Sequence, residues 1–274
     1  MLKSERQDAI VAEVWRRGIA SVADLAALLG VSEITVRRDM DELGAAGRVQ
    51  RIRGGARPLM PRDHEPPVVQ RQAEQAEEKR AIGLAALELV HDGDVIGIES
   101  GSTSLELARA LAGRTWRWLQ VVTNSFTVLG ELLRVPGVHL VFVGGSVNSD
   151  EMGTCGTLAE DTLKRINIDK LFISCRGIDP RAGVTNDLQA EPVVGVERAF
   201  VAAARQVIVL ADHTKFGRVF LLQIVPTNEI DAIVTGCPTP SEILQEFGKQ
   251  DTRVIVAPLQ SQEGSAVLQN RNSS

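Results

Sequence analysis

One stretch decides the fold of the N-terminal part of the chain: Val31-Ser32-Glu33-Ile34-Thr35-Val36-Arg37-Arg38-Asp39-Met40-Asp41-Glu42-Leu43. Val36, Met40 and Leu43 recur at positions i, i+4 and i+7, so they predict a helix with one apolar face. Ser32 is a typical N-cap residue, because a serine oxygen can accept a hydrogen bond from a first-turn N–H. The stretch therefore predicts a helix that begins directly after Ser32.

A second helix is predicted immediately before this one. Ser21 and Asp24 match the capping-box pattern of a helix start, and Gly30 is expected to end the helix. Only Val31 separates Gly30 from the next N-cap. Two helices joined by so short a turn, the first ending in glycine, indicate a helix-turn-helix.

A basic hairpin, or wing, is predicted to follow the helices. Residues 48–57 alternate polar and apolar side chains and contain four arginines but no acid, a pattern typical of a β-hairpin. DNA binding requires a helix whose first residues reach base edges, together with cations for the phosphates. The candidate DNA-binding residues are Ser32, Glu33, Thr35, Arg37, Arg38, Arg48, Arg51 and Arg53.

Surface ion pairs are the alternative interpretation of the helix arginines. Arg37 lies four residues from both Glu33 and Asp41, and Arg38 lies four residues from Glu42. That spacing favours ion pairs on the surface of a helix. The wing arginines have no such acids nearby in the sequence, so a solvated surface is the alternative for them.

The overall charge hides an uneven distribution. The chain has 274 residues, with 44% hydrophobic and 24% charged side chains and a formal net charge of -5. This composition is typical of a globular protein, but an acidic average argues against DNA binding. Residues 1–58 carry 10 basic and 8 acidic side chains, whereas the remainder carries 20 and 27. The acidic excess belongs to the larger C-terminal part, so net charge does not exclude DNA as a partner.

Prolines mark the boundary between two domains. Four of the 11 prolines lie between Pro58 and Pro67, and such a run predicts a semi-rigid extended linker. Val68 to Val90 is interpreted as one long helix. The predicted organisation is a DNA-binding domain at 1–57, a linker at 58–75, an effector-binding domain at 76–258 and a mobile tail at 259–274.

The second domain is predicted to be α/β with a largely parallel sheet, because short apolar runs alternate with helical stretches from Val95 onward. Small or polar residues follow several of these strands, and ligands of open α/β sheets bind at the carboxyl ends of strands. The loop from Ser100 to Ser104 suits a phosphate at a helix N-terminus, with Lys215 as a point charge. An ordinary helix cap is the alternative for this loop, which is neither a Walker loop nor a dinucleotide fingerprint. The candidate effector-binding residues are Glu99, Ser100, Gly101, Ser102, Thr103, Ser104, Thr123, Asn124, Ser125, Gly144, Gly145, Arg176, Asp179 and Lys215.

The N-terminal motifs resemble a known family of regulators. The run Thr35-Val36-Arg37-Arg38-Asp39, followed by Gly54-Gly55-Ala56 at the end of the wing, is similar to the winged helix-turn-helix of DeoR-type (DeoR/GlpR family) bacterial transcriptional repressors. The resemblance implies a sequence-specific repressor that uses Ser32 to Arg38 in the major groove and the wing on the DNA backbone.

The C-terminal stretches resemble the effector domain of the same family. That resemblance implies a fold similar to ribose-5-phosphate isomerase and a phosphorylated sugar, or a related metabolite, that changes DNA affinity. The matching stretches include residues 76–82, 92–94, 100–103, 122–125, 144–145, 177–179, 183–185 and 211–217.

Two positions depart from the family pattern. Glu99 stands where the family more often has aspartate, and Cys175-Arg176 stands where an alanine-aspartate pair is more usual. An arginine in place of an acid favours an effector with extra negative charge, such as a sugar acid or a second phosphate. Alternatively, Arg176 points to solvent or pairs with Asp179.

We therefore expect a DNA-binding repressor of carbohydrate-metabolism genes that is not an enzyme. The leading alternative is a sugar-phosphate isomerase-like enzyme with a DNA-binding appendage, for which Glu99, Asp179 and Asp212 are candidate bases. A metabolite-binding protein that does not bind DNA is the third class. An assay of sugar-phosphate turnover and an assay of DNA affinity separate the three.

The remaining expectations concern partners and location. We expect operator DNA, a phosphorylated effector and a homo-oligomer, because repressors of this construction bind paired half-sites. We expect no cofactor and no metal, since the histidines and the three cysteines show no ligand spacing. The apolar runs are too short for a membrane span, and the N-terminus lacks a secretory apolar region, so we expect a cytoplasmic protein.

Overall fold

The computed structural model describes residues 3–17, 19–46, 48–58, 66–187 and 190–259. The chain divides into two compact units, Met1–Pro66 and Pro67–Ser274. The second unit thus includes residues 67–75, which the sequence assigns to the linker. The predicted tail lies outside the described residues except for Leu259.

The first unit combines three helices with a small sheet. The strand order is β1-β3-β2, with antiparallel pairing of β3 to both neighbours. Side chains from all three helices and all three strands form one apolar core. The elements are α1 (Lys3–Arg17), β1 (Ala20–Ser21), α2 (Val22–Leu29), α3 (Glu33–Ala45), β2 (Val49–Ile52) and β3 (Gly55–Pro58).

The predicted caps set the ends of the two central helices. The Ser21 Oγ accepts a hydrogen bond from the Asp24 N–H at 3.0 Å, and the Ser32 Oγ accepts one from the Thr35 N–H at 3.2 Å. Gly30 has φ of +64°, a conformation that glycine adopts without a Cβ penalty. These local contacts confirm the predicted helix-turn-helix, and the β2–β3 hairpin confirms the wing.

The second unit is built on a seven-stranded, entirely parallel sheet in the order β15-β14-β12-β9-β4-β5-β6. A three-stranded sheet, β10-β11-β13, and a hairpin, β7-β8, accompany it. The strands are β4 (Val95–Ile98), β5 (Leu119–Thr123), β6 (Val138–Phe142), β7 (Ser146–Asn148), β8 (Gly153–Cys155), β9 (Ile168–Ser174), β10 (Gly177–Asp179), β11 (Gly183–Asn186), β12 (Ala204–Ala211), β13 (Leu222–Val225), β14 (Ala232–Gly236) and β15 (Arg253–Ala257). The helices are α4 (Val68–Arg71), α5 (Ala76–Leu87), α6 (Ser102–Ala112), α7 (Phe126–Leu132), α8 (Thr157–Leu163), α9 (Glu191–Ala203) and α10 (Ser241–Gly248).

Both faces of the large sheet are buried. Along β9, Leu171 and Ile173 join a core with α8 and α9, whereas Phe172 joins a second core with α5, α6 and α7. Alternate residues of a strand point to opposite faces, and a parallel sheet is normally covered on both. This three-layer arrangement confirms the predicted α/β class.

The prediction of one helix from Val68 to Val90 is wrong. The chain forms α4 and α5 instead, and Gln75 between them has φ of +52°. The Lys79 Nζ donates a hydrogen bond to the Arg71 backbone oxygen at 2.6 Å across this break. Both side chains are buried, so tertiary contacts outweigh the continuous helical pattern.

Among the described residues, no helix combines the length and the apolar composition that a bilayer crossing requires.

Candidate functional site

Helix α3 has one face that packs in the hydrophobic core and one face that is exposed. Val36, Met40 and Leu43 are almost completely buried. Successive residues are about 100° apart around a helix, so Ile34 and Arg38 lie roughly opposite this buried face. The sequence segment that was predicted to read DNA therefore presents a free surface within its own unit.

A buried ion pair positions α3. Asp39 is 1% exposed, and it accepts hydrogen bonds from the Arg6 Nε at 2.5 Å and the Arg6 Nη2 at 3.2 Å. The hydrogen bond to Asp39 raises the pKa of Arg6. Sequence reasoning missed this pair because its partners are 33 residues apart.

The two helix arginines form the ion pairs that their spacing favours. Arg37 lies 3.1 Å from Glu33 and Arg38 lies 3.6 Å from Glu42, measured between nitrogen and oxygen. Both arginine side chains remain mostly exposed. Exposed pairs of this kind contribute about 0–1 kcal/mol, so phosphate groups can replace the acids at small cost.

Two of the wing arginines also have acidic partners, although neither partner is near in sequence. The Arg48 Nη2 lies 2.8 Å from Asp8 of α1, and the Arg51 Nε lies 2.8 Å from Asp41 of α3. The sequence shows no acid close to these arginines, and the fold supplies two distant ones because it brings α1 and α3 beside the wing. Arg53 is exposed in the turn between β2 and β3 and has no ion-pair partner within the described part of the chain.

The start of α3 mixes capping contacts with exposed groups. Ser32 and Thr35 engage each other, with their hydroxyl oxygens 2.9 Å apart, while Glu33 is exposed. Ile34 is 79% exposed, and sequence reasoning did not single it out. An apolar residue at an outward helical position was the signal that could have identified it.

The structure brings most of the predicted effector residues to one edge of the large sheet. Strands β12, β9, β4, β5 and β6 are adjacent and parallel, so the loops after them share that edge. These loops carry the residues from Glu99 to Ser104, Thr123 to Ser125, Gly144 to Gly145, Arg176 and Lys215.

The loop before α6 is packed tightly against β9. A Cβ on Gly101 would come within 2.5 Å of the Ser174 Oγ. The Ser104 N–H donates to that same Oγ at 3.2 Å, and the Ser104 Oγ lies 2.9 Å from it. By contrast, neither the hydroxyls nor the backbone N–H groups of Ser102 and Thr103 have a hydrogen-bond partner within the described residues. N–H groups and hydroxyls in the first turn of a helix that have no hydrogen-bond partner in the protein can bind a phosphate.

The loop after β5 holds its neighbours together. The Ser100 N–H donates to the Asn124 Oδ1 at 3.2 Å, and the Asn124 Nδ2 donates to the Thr154 oxygen of β8 at 3.0 Å. The Thr123 Oγ1 donates to the Ile98 oxygen at 2.6 Å, and Ser125 caps α7. These side chains connect the loops around the α6 N-terminus.

The glycines after β6 differ from each other. A Cβ on Gly145 would come within 2.6 Å of the Cys155 oxygen, whereas a Cβ on Gly144 would meet no atom within 4 Å. Gly145 thus allows close approach of the β7–β8 hairpin, and Gly144 borders open space.

Arg176 neither points to solvent nor pairs with Asp179. It is buried, forms an ion pair with Asp187, and its guanidinium carbon lies 4.5 Å from the centre of the Phe220 ring. Asp179 instead accepts hydrogen bonds from the N–H groups of Arg181 and Ala182, at 2.9 and 3.3 Å, and so closes the turn before β11. Sequence reasoning could not pair Arg176 with Asp187, because the contact depends on how β9 and β11 are placed.

Glu99 is the buried carboxyl group at this edge. It is 2% exposed and accepts a hydrogen bond from the Ser100 Oγ at 2.7 Å. Burial raises the pKa of Glu99 well above its ordinary value, and the charge of Glu197 on α9 raises it further. Both effects favour the protonated form of the Glu99 carboxyl group relative to an exposed glutamate.

A polar cluster surrounds the loop after β12. Burial lowers the pKa of Lys79, and the positive charge of Lys215 contributes, against an opposing effect of Asp212. Glu78 accepts a hydrogen bond from the His213 N–H at 2.8 Å and lies 2.6 Å from the His213 Nδ1. Glu78, Asp212 and His213 bring ligand-type atoms within 4.8 Å of one another, but these atoms already bind protein groups and two lysines lie nearby. We assign no metal to them.

Family comparisons match both units. A family model described as the DeoR-like helix-turn-helix domain matches residues 6–61, and one described as the DeoR C terminal sensor domain matches residues 74–236. The second match alone spans more than half of the chain.

Curated relatives align along nearly the whole length. An uncharacterized HTH-type transcriptional regulator of Escherichia coli (strain K12) is 33% identical over 94% of this chain and 99% of its own. The putative aga operon transcriptional repressor of Escherichia coli O157:H7 is 32% identical over 92% and 93%. The glycerol-3-phosphate regulon repressor of Escherichia coli (strain K12) is 29% identical over 89% and 95%.

Solved structures give a weaker likeness. Ribose 5-phosphate isomerase A from Methanocaldococcus jannaschii has a TM-score of 0.36 and 18% identity, covering 50% of this chain and 53% of its own. Translation initiation factor eIF-2B from Pyrococcus horikoshii OT3 has a TM-score of 0.40 and 17% identity, covering 60% and 64%. Likenesses at this level carry no argument about activity.

Proposed function

Because the chain belongs to the DeoR family of transcriptional regulators, we propose that it represses carbohydrate-metabolism genes and that a phosphorylated sugar changes its affinity for operator DNA. The observation that carries the proposal is the open face of α3. Its inner face is fixed by the core and by the Arg6–Asp39 pair, and its outer face presents exposed arginines.

The DNA-binding half of the proposal follows from charge and exposure. Arg37 and Arg38 are held only by exposed ion pairs, so they are available to phosphates. Arg53 extends from the tip of the wing. Each arginine that neutralises a phosphate releases counterions, so binding will weaken as salt rises.

The effector-binding half follows from the unused groups at the start of α6. The N–H groups and hydroxyls of Ser102 and Thr103 lie where a helix N-terminus favours an anion. We place the phosphate of the effector there, with Lys215 contributing charge. We assign Glu99, at the start of the same loop, to a hydrogen bond with the remainder of the sugar.

The effector is proposed to be a sugar phosphate rather than a sugar acid. A sugar acid would need the charge of Arg176, but Asp187 already neutralises it. A protonated Glu99 can donate a hydrogen bond to a sugar oxygen, and its side-chain oxygens can accept one from a hydroxyl.

We propose that the second unit senses its ligand without converting it. The Glu99 carboxyl group accepts a hydrogen bond from the Ser100 Oγ, and the Asp212 carboxyl group accepts one from the Thr214 N–H, so both of these candidate bases are engaged by neighbouring groups. Asp179 is engaged in a turn. A purified protein that converts pentose or hexose phosphates at enzymatic rates, and loses that activity on Glu99→Gln, would contradict this part.

Regulation requires that the effector bind the DNA-competent and DNA-incompetent states with different affinity. We further propose a homo-oligomer, because this kind of regulator reads paired half-sites, and action in the cytoplasm, where the DNA target of such a regulator lies in bacteria and archaea.

Two measurements test the proposal. Selection from a pool of randomised duplexes is expected to enrich one sequence, and enrichment of no sequence would contradict the DNA-binding half of the proposal.

Thermal melting tests the effector half. The compounds are glycerol 3-phosphate, ribose 5-phosphate, galactosamine 6-phosphate and 6-phosphogluconate, with inorganic phosphate as the control. At least one sugar phosphate is expected to raise the melting temperature and to change affinity for the selected duplex, and the double variant Ser102→Ala/Thr103→Ala is expected to lose both effects. If none of these compounds acts, or if the double variant responds fully, the effector half is wrong.

A further inference from the structure

Ile34 is an apolar side chain that takes no part in the hydrophobic core. At 79% it is the most exposed of the large hydrophobic side chains among the described residues. The core of the first unit takes Val36, Met40 and Leu43 from the same helix and leaves Ile34 out. Single exposed apolar side chains are common on protein surfaces, but Ile34 lies among the candidate DNA-binding residues of α3, and this position gives its exposure a functional meaning.

Its position on α3 is the one that faces outward. Ile34 is two residues before Val36, or about 200° around the helix, and four residues before Arg38, or about 40°. It therefore projects from the side opposite the core, next to Arg38. It also lies in the first turn, the part of a recognition helix that approaches base edges most closely.

The polar residues around Ile34 form hydrogen bonds and ion pairs with one another. Ser32 caps the helix through its bond to the Thr35 N–H, and Glu33 lies 3.1 Å from Arg37. Ile34 protrudes between these two pairs. The Ile34 methyl groups are thus exposed and take no part in these contacts.

The major groove offers one apolar group, the C5-methyl of thymine. On the premise of the proposed DNA-binding function, we propose that Ile34 determines part of the sequence specificity by packing on a thymine methyl. The contact excludes water from both apolar surfaces, and no other base presents such a group on its major-groove edge.

Selection from randomised duplexes gives the first test. The wild type is expected to enrich an A·T pair that Ile34→Ala no longer enriches, while the rest of the selected sequence stays the same. Ile19→Ala is the matched control, because Ile19 is also exposed, at 61%, but lies outside α3. Its selected sequence is expected to equal that of the wild type. Melting curves of both variants are expected to match the wild type, since neither side chain is in the core.

Replacement of thymine by uracil gives the second test, because it deletes only the methyl group. At one thymine of the selected duplex, uracil is expected to weaken wild-type binding about threefold to tenfold and to leave Ile34→Ala unchanged. Arg37→Ala is expected to weaken both duplexes equally. The assignment of Ile34 is wrong if, at every position, uracil lowers the DNA affinity of the wild type and of Ile34→Ala equally. It is also wrong if uracil lowers the affinity of neither protein. Both outcomes leave the proposed DNA binding intact. If the wild type selects no sequence, the proposed function itself fails.

Discussion

The two candidate sites of this chain differ in how far their side chains are committed to the fold. On the outer face of α3, Arg37 and Arg38 hold only exposed ion pairs and Ile34 touches little. At the carboxyl edge of the large sheet, Thr123, Asn124 and Ser104 are buried and bonded to their neighbours. Under the proposed function, the side chains that meet DNA are exposed and available, whereas the side chains around the proposed effector site also stabilise the fold. Substitutions on α3 should therefore change DNA affinity without changing the free energy of unfolding. Substitutions at the edge of the large sheet should change both effector binding and the free energy of unfolding.

The largest expected effect is on DNA affinity. The double variant Arg37→Ala/Arg38→Ala is expected to weaken binding on the order of a hundredfold and to lower the slope of log affinity against log salt by about two, because two phosphate contacts are lost. Its melting curve should stay close to that of the wild type. Arg117→Ala/Arg205→Ala changes the charge equally in the second unit, and an equal loss of DNA affinity in that control would show that net charge, not α3, drives binding.

The next effect is on the stability of the second unit. Gly101→Ala places a Cβ within 2.5 Å of the Ser174 Oγ, and such overpacking is expected to cost about 1–3 kcal/mol of unfolding free energy. Gly144→Ala is the control, since its Cβ would meet no atom within 4 Å. Denaturant unfolding of both variants measures the difference, and equal stabilities would show that the α6 loop is looser than described.

A pH effect is expected from Glu99. Its pKa is raised in the folded chain by burial and by Glu197, so the folded state favours the proton, and stability is lost as pH rises through the folded pKa. Glu99→Gln removes this dependence and is expected to gain more unfolding free energy over the wild type at pH 8 than at pH 5. Glu88→Gln, at the exposed end of α5, is the matched control. The same pH dependence in the wild type and in Glu99→Gln would contradict the burial of a protonated carboxyl group.

The smallest effects distinguish two serines in the first turn of α6. Ser104→Ala removes the hydroxyl that contacts the Ser174 Oγ and is expected to cost about 1 kcal/mol of stability. Ser102→Ala removes a hydroxyl without a described partner and is expected to leave stability unchanged while weakening the response to a sugar phosphate. The reverse pattern would mean that Ser104, not Ser102, holds the ligand.

The parts of this structure that sequence predicts are the local ones. Ser21, Ser32 and Gly30 set helix ends through contacts within a few residues, and apolar runs followed by polar loops place the parallel strands. The break between α4 and α5 escaped prediction because Lys79 contacts Arg71 in three dimensions.

Long-range pairs within the sites were not predictable for the same reason. Arg48 forms an ion pair with Asp8, and Arg176 forms one with Asp187, only after distant elements have packed together. The sequence thus predicts which residues belong to each candidate site, whereas the ion pairs that they form depend on tertiary contacts.

The salt dependence of DNA binding tests the central claim most directly. Fluorescence anisotropy should be recorded for the selected duplex and for a scrambled duplex of the same composition across a salt series. We predict that the wild type prefers the selected duplex by at least about 10³ at physiological salt, with affinity falling steeply as salt rises. Arg37→Ala/Arg38→Ala is expected to weaken binding to both duplexes and to make the salt dependence less steep. Equal wild-type affinity for both duplexes, or an affinity and a salt dependence that the double variant retains in full, would contradict α3 as the DNA reader.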